Sequence, residues 1–215
     1  MEKIQLQIVL FFLNDYSGNF EFFSLAIKQK FQNSLSTLQL PLPENIPSEV
    51  PRLTIQYQDF VINVAKNRYE IIISKQTGID ELITNFVSLD LKQFGIAIKR
   101  VGVIQTYFKA STMEEFKTVL TANEMLNGIS ELAIRFNCPT PLNGFRCNNL
   151  ESVEFGQAQK VNANGQPIIE QGVIIQRDIN TPTDNTIAIP NETILSIINC
   201  FIEYMDSHKS ILVQE

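Results

Sequence analysis

The chain has 215 residues, is 44% hydrophobic and carries a formal net charge of −6, which suits one large globule or two small intimate domains and argues against disorder. The charge is uneven: residues 1–110 hold 11 Lys/Arg against 10 Asp/Glu, and residues 111–215 hold 6 against 13. With no cationic run to neutralise phosphates, general nucleic-acid binding is disfavoured, and with His208 as the single histidine, Ser-His-Asp and Cys-His catalysis would both depend on one imidazole.

Residues 4–13 begin as an alternation and end as an apolar run, which predicts a strand entering the middle of a sheet. Phe20, Phe23, Ile27 and Phe31 recur at helical spacing and predict a helix over 20–33. Pro41, Pro43, Pro47 and Pro51 then make 34–51 a connecting loop. From Arg52 the period becomes two: Leu53, Ile55 and Tyr57, then Ile62 and Val64, then Tyr69, Ile71 and Ile73, read as three antiparallel strands. Thr77 to Asp80 has the form of a capping box before a helix buried through Leu82, Ile83 and Phe86 and ended by Gly95.

Residues 98–108 restart the pattern as a strand. Ser111 to Glu114 form a second capping box, followed by a helix through Phe116, Leu120 and Met125. Leu132, Ile134 and Phe136 share one face of a strand, and Val153 and Phe155 open another with a bulge expected at Gly156. Asn164-Gly165 is a turn dipeptide before the strand through Val173, Ile175 and Asp178. Ile194, Ile197, Ile198, Phe201, Ile202 and Met205 give the last helix a full apolar stripe behind Asn191.

The element order repeats. The reading is an α+β fold of two pseudo-repeated β-α-β-β-β-α units, residues 1–97 and 98–215, forming a largely antiparallel sheet with helices on one face of a single globule. Cys138, Cys147 and Cys200 are odd in number and scattered, which fits free thiols in a reducing cytoplasm and offers no zinc set. No apolar run approaches the roughly 18 residues that cross a bilayer. No cofactor or metal is called for.

Candidate sites follow from residue type. The segment 138–150 is the longest without pattern, and Phe145, Arg146 and Leu150 within it suit contacts to a protein partner. Arg52, Lys66, Arg68, Lys99 and Arg100, with Tyr57 and Tyr69 near them, are the alternative: a basic surface on a sheet that would stack and neutralise nucleic acid. A third arrangement sets Asp178, Asn180, Tyr69 and Tyr107 around a ligand pocket between sheet and helices. Arg177 and Asp178 face apart on a strand, and a cross-strand ion pair with Arg135 is expected of this region. Glu151 and Glu154 read as solvated edge charges, and His208 as an exposed residue at a helix C-terminus.

The opening strand, Pro51-Arg52-Leu53-Thr54-Ile55, the hairpin at Asn67-Arg68-Tyr69, the strand Val101 to Phe108, and Ile175-Gln176-Arg177-Asp178-Ile179-Asn180 before a terminal helix together resemble a group of sporadically distributed bacterial proteins of unknown function. The chain departs from that group at Lys99-Arg100-Val101-Gly102-Val103. The group has no established catalytic motif; the resemblance implies a mobile-gene setting in which defence and toxin-neutralising proteins are common. The expected function is that of a non-catalytic, cytoplasmic protein-binding or inhibitory subunit of such a system, its acidic second half steering a basic partner. Nucleic-acid binding is the first alternative, and a small-ligand binder or enzyme the second.

Overall fold

The computed structural model describes residues 1–74, 77–119, 132–161 and 167–208. The expected course of the third helix through Leu120 and Met125, and the Asn164-Gly165 turn, lie outside the described residues. The opening alternation forms β1 (Glu2–Phe12), and the helical spacing after it forms α1 (Phe20–Lys30), with Asn19 accepting from the Glu21 amide as its cap. The proline-rich connection carries β2 (Ser36–Gln39), after which the three period-two runs become β3 (Leu53–Gln56), β4 (Phe60–Val64) and β5 (Arg68–Ile73). Then come α2 (Ile79–Val87), a one-turn 3-10 helix (Leu91–Phe94), β6 (Ile98–Ala110) and α3 (Met113–Val119). The chain continues with β7 (Ala133–Asn137), β8 (Thr140–Leu142), β9 (Phe145–Val161), β10 (Pro167–Asn180) and α4 (Asn191–Ser207).

The fold is α+β, a large antiparallel sheet with four helices among the described residues. The strand order is β2-β3-β4-β5-β1-β6-β10-β9-β7, with β8 added against β9. Every pairing is antiparallel, and β1 with β6 forms the middle of the sheet. Alternation sorts the side chains cleanly. One face carries Leu6, Ile8, Leu10 and Phe12 of β1, Tyr69, Ile71 and Ile73 of β5, Val101 and Val103 of β6, and Ile179 of β10. These pack with Phe23 and Ile27 of α1, Ile83 and Phe86 of α2, and Ile194 through Met205 of α4. Farther along the same face, Val153 of β9 and Val173 and Ile175 of β10 form a second cluster with Phe116 of α3. No side chain of the two clusters comes from the reverse of the sheet.

Several local expectations are corrected. Residues 34–51 are not wholly a connecting loop, because β2 pairs with β3 from Ser36↔Gln56 to Gln39↔Leu53. All four of its residues are exposed, so it leaves no amphipathic trace and is held by backbone pairing at the sheet edge. The 138–150 segment is likewise a hairpin: β8 pairs with the start of β9 across Asn143-Gly144, whose φ values of 47° and 80° are those of a tight two-residue turn. Its short, proline-containing first strand hides the alternation. The helix before Gly95 stops at Val87, and Gly95, at φ 70°, closes the separate 3-10 turn.

The cap of α2 is Gly78 with no side-chain bond, so the box expected at Thr77 is not formed. The second box is shifted by one residue: Thr112 and Glu115 exchange the reciprocal bonds, at 3.0 and 3.2 Å. Pro190, not Asn191, caps α4. The β9–β10 register runs unbroken past Gly156, which pairs with Gly172, so the bulge expected there is absent. No described helix is long and apolar enough to cross a membrane.

Candidate binding face

The reverse of the sheet is the more polar side and is mostly half-exposed, with Val9, Glu70, Thr106 and Phe108 buried within it. In cross-strand register it carries Thr54, Asn63, Glu70, Val9, Gly102, Asn180 and Asn148 in one row. The next row holds Gln56, Val61, Ile72, Gln7, Ile104, Asp178 and Leu150. On the other side of the first row, Arg68, Phe11 and Arg100 stand abreast on three adjacent strands. Period-two parity within each strand and the pairing register between strands together put these residues on one side.

The polar groups are ordered by one another. Glu70, 4% exposed, accepts from Gln7 Nε2 at 3.2 Å and Asn63 Nδ2 at 3.0 Å, and Asn63 in turn accepts from Thr54 at 2.8 Å. Arg68 Nε lies 3.3 Å from Glu70 Oε2 without hydrogen-bond alignment. The Arg100 guanidinium sits over the Phe11 ring, 3.5 Å from its centroid. Burial lowers the Arg100 pKa, the charge of Asp178 opposes that shift, and the charge of Arg68 adds to it. Asp178 accepts from Asn180 Nδ2. Burial raises the Asp178 pKa, against the bond from Asn180 and the charges of Arg100 and Arg135.

A group whose folded pKa exceeds its unfolded value binds its proton more tightly when folded, so ionised Asp178 costs stability at neutral pH and protonation relieves that cost. The difference in stability between Asp178→Asn and the parent chain should therefore favour the variant at neutral pH. It should shrink as pH falls through the folded pKa of Asp178 toward the ordinary carboxylate value. Urea melts at a series of pH values measure it, and a variant less stable at neutral pH would contradict the assignment.

The anticipated site residues divide. Leu150, half-buried, and Arg146, exposed, belong to the solvent-facing side. Phe145, half-buried, lies on the opposite side of the sheet and packs against the main core. Among the basic residues, Arg68 and Arg100 share the row described above. Arg52 does not: it is 3% exposed and donates to the carbonyls of Val50 and Ile46, clasping the proline-rich connection. Lys99 is the extra residue of the register shift between Phe11 and Phe12, and Lys66 lies in the β4–β5 turn. Tyr57 and Tyr69 are buried in the core, their pKa values raised by burial, to about 12 for Tyr57, and so offer no stacking surface.

The pocket expected from Asp178, Asn180, Tyr69 and Tyr107 is not formed, because the two tyrosines face the helices and Asp178 and Asn180 face away from them. Glu151 is not a solvated edge charge either. It is 4% exposed and lies 3.5 Å from Arg177 Nε, so the ion pair of this region joins Arg177 to Glu151 and not Asp178 to Arg135. His208 is exposed and caps α4, its ring stacked on Tyr204 at 4.0 Å.

Sequence reasoning missed Glu70 and Phe11. Arg68 and Glu70 stand two apart on a strand, which already sets them on one face. Cys138, Cys147 and Cys200 are free thiols, and burial pushes that of Cys147 up to about 11. Among the described residues no three His, Cys, Asp or Glu side chains gather to hold a metal ion. The chain matches no protein-family model and no curated protein.

Proposed function

We propose that this chain is a non-catalytic, cytoplasmic protein-binding or inhibitory subunit of a bacterial defence or toxin-neutralising system, and that it binds through the solvent-facing side of its sheet. The carrying observation is the make-up of that side: Phe11, Val61, Ile72, Ile104 and Leu150 alternate with ordered polar groups, Glu70, Asn63, Arg100 and Asn180. Aromatic and aliphatic contacts among preset hydrogen-bonding groups suit a protein interface, where preorganised side chains lose little entropy on binding. The setting in defence or toxin neutralisation rests on the resemblance to sporadically distributed bacterial proteins and on the −7 charge of residues 111–215.

We also infer that residues 1–97 and 98–215 are duplicated units. The sheet order supports this: outward from the central β1–β6 pair, each half continues with its own last strand, β5 or β10, and then the one before it, β4 or β9. In each half the last strand is also followed by an α-helix that joins the main core, α2 or α4. Duplication would give a partner two related halves of one continuous face.

Nucleic acid is the weaker reading, because of the five basic candidates only Arg68 and Arg100 share the face and both candidate tyrosines are buried. Affinity purification of the tagged chain from its source cells, with and without nuclease, tests the choice. A stoichiometric protein that survives nuclease and is lost with Leu150→Glu is the expected result. Recovery of material only while nucleic acid remains would overturn it.

A further inference from the structure

The least satisfied group on the solvent-facing side is Arg100. Its guanidinium stacks on Phe11 but makes no hydrogen bond with any described residue, and its Nε is buried without a partner. Arg68, two strands away in the same row, is also short of partners: its Nε is buried, and its contact to Glu70 lacks hydrogen-bond geometry. Adjacent strands are about 4.8 Å apart, so the two backbones stand about 10 Å from each other, within reach of two arginine side chains leaning over one ring. Glu70 accepts from Gln7 and Asn63 and meets Arg68 only as an ion pair without hydrogen-bond alignment, so the Arg68 Nε–H is still undonated. Arg100 thus lies on an aromatic floor with donors left over, and Arg68 flanks Phe11 from the strand on its other side, so an oxyanion beside the stacked guanidinium would meet Arg100 with Arg68 within side-chain reach.

We propose that Arg68 and Arg100 clamp one carboxylate side chain of the protein partner beside the Phe11 ring. Guanidinium groups bind carboxylates through paired N–H donors, and a stacked, half-buried guanidinium is already oriented for it. The surroundings favour a peptide over a nucleic-acid strand. A phosphate chain needs a track of cations, whereas this row has two, bordered by the carboxylates of Glu70 and Asp178. A peptide instead brings backbone amides, donors that suit the side-chain oxygen of Asn180, two residues from the clamp along the sheet, and Asp178, four residues from it.

This proposal rests on the protein-binding reading above and is tested separately from it. The probes are a blocked Ala-Ala-Glu-Ala-Ala peptide, its Gln counterpart, inorganic phosphate and a short single-stranded oligonucleotide, each titrated while the arginine Nε–Hε resonances are followed by NMR. The expected result is saturable shifts of Arg68 and Arg100 with the Glu peptide, weaker shifts with phosphate, and none with the Gln peptide. Arg100→Gln should weaken the Glu peptide about tenfold or more, with Arg100→Lys intermediate because it keeps the charge and loses the paired donors. Arg68→Gln gives the same reading should Arg100→Gln fail to fold.

Equal binding of the Gln peptide, or no shift at either arginine, would overturn the clamp. So would tighter binding of the oligonucleotide through the same two residues, which would make the site one for nucleic acid. If a nuclease-resistant protein partner is recovered but Arg68→Gln and Arg100→Gln do not weaken it, the clamp fails and the protein-binding reading stands. Selective Glu-peptide binding with no protein partner recovered supports the carboxylate clamp and counts against the protein-binding reading.

Discussion

Replacing Arg177 with methionine is expected to cost about 3–5 kcal/mol of folding stability, the range for leaving one member of a buried ion pair without the other. Arg177 and Glu151 are 6% and 4% exposed, on the helix-facing side of the sheet between the two apolar clusters. The guanidinium also donates to the carbonyl oxygens of Met205 and His208, at 2.6 Å for the latter. It thereby satisfies carbonyls that the last turn of α4 leaves open and sets a positive charge at the negative end of that helix. Gln105 and Lys3 both donate to Asp206 beside it, at 3.0 and 2.9 Å, so this polar seam pins the end of α4 to β1, β6 and β10. The double variant Arg177→Met/Glu151→Leu should recover most of the loss, because two apolar side chains of similar volume avoid the desolvation of two charges. Urea unfolding of the single and double variants measures this. A single-variant loss under about 1 kcal/mol would contradict the assignment of a buried pair.

The second large effect is expected at Phe23, whose truncation to alanine should cost about 3–5 kcal/mol. Phe23 is fully buried on α1 and sits among Phe94, stacked at 4.5 Å, Tyr16 at 5.6 Å and Tyr69 at 5.7 Å. The ring therefore ties α1 to β5 and to the 3-10 turn at once, and its removal would leave a cavity among three aromatic rings. Phe23→Leu should cost much less, since it keeps most of the volume. Thermal and chemical melts of both variants give the comparison. Similar losses for the two would mean that the aromatic contacts, and not the volume, hold this corner.

The strands and helices legible in the sequence were those with one buried face. The apolar stripe of α4 and the alternation of β3, β4 and β5 are consequences of packing against the core, and packing writes a period into the chain. β2 and β8 escaped because backbone pairing holds them: β2 is wholly exposed, and β8 is three residues long with a proline. The Asn-Gly dipeptide, read from the sequence as a turn signal at Asn164-Gly165, also stands at Asn143-Gly144, where the absence of an alternating first strand concealed a hairpin.

The candidate face was legible only in pieces. Arg68, Arg100, Asp178, Asn180, Arg146 and Leu150 are identifiable as residues, but their shared side depends on which strands neighbour β1, and that is set by long-range pairing. Glu151 was misread for a similar reason. It is buried beside Arg177 of the neighbouring strand β10, 26 residues on in sequence, and nothing near Glu151 announces it.

The most direct test of the central claim is hydroxyl-radical footprinting of the chain alone and in complex with its purified partner. The account predicts that Phe11, Ile104 and Leu150, on the solvent-facing side of the sheet, become protected in the complex, while Phe22 and Leu25, 64% and 56% exposed on the outer side of α1, react as before. Protection of Phe22 and Leu25 with Phe11, Ile104 and Leu150 unchanged would contradict it and move the interface to the helical side.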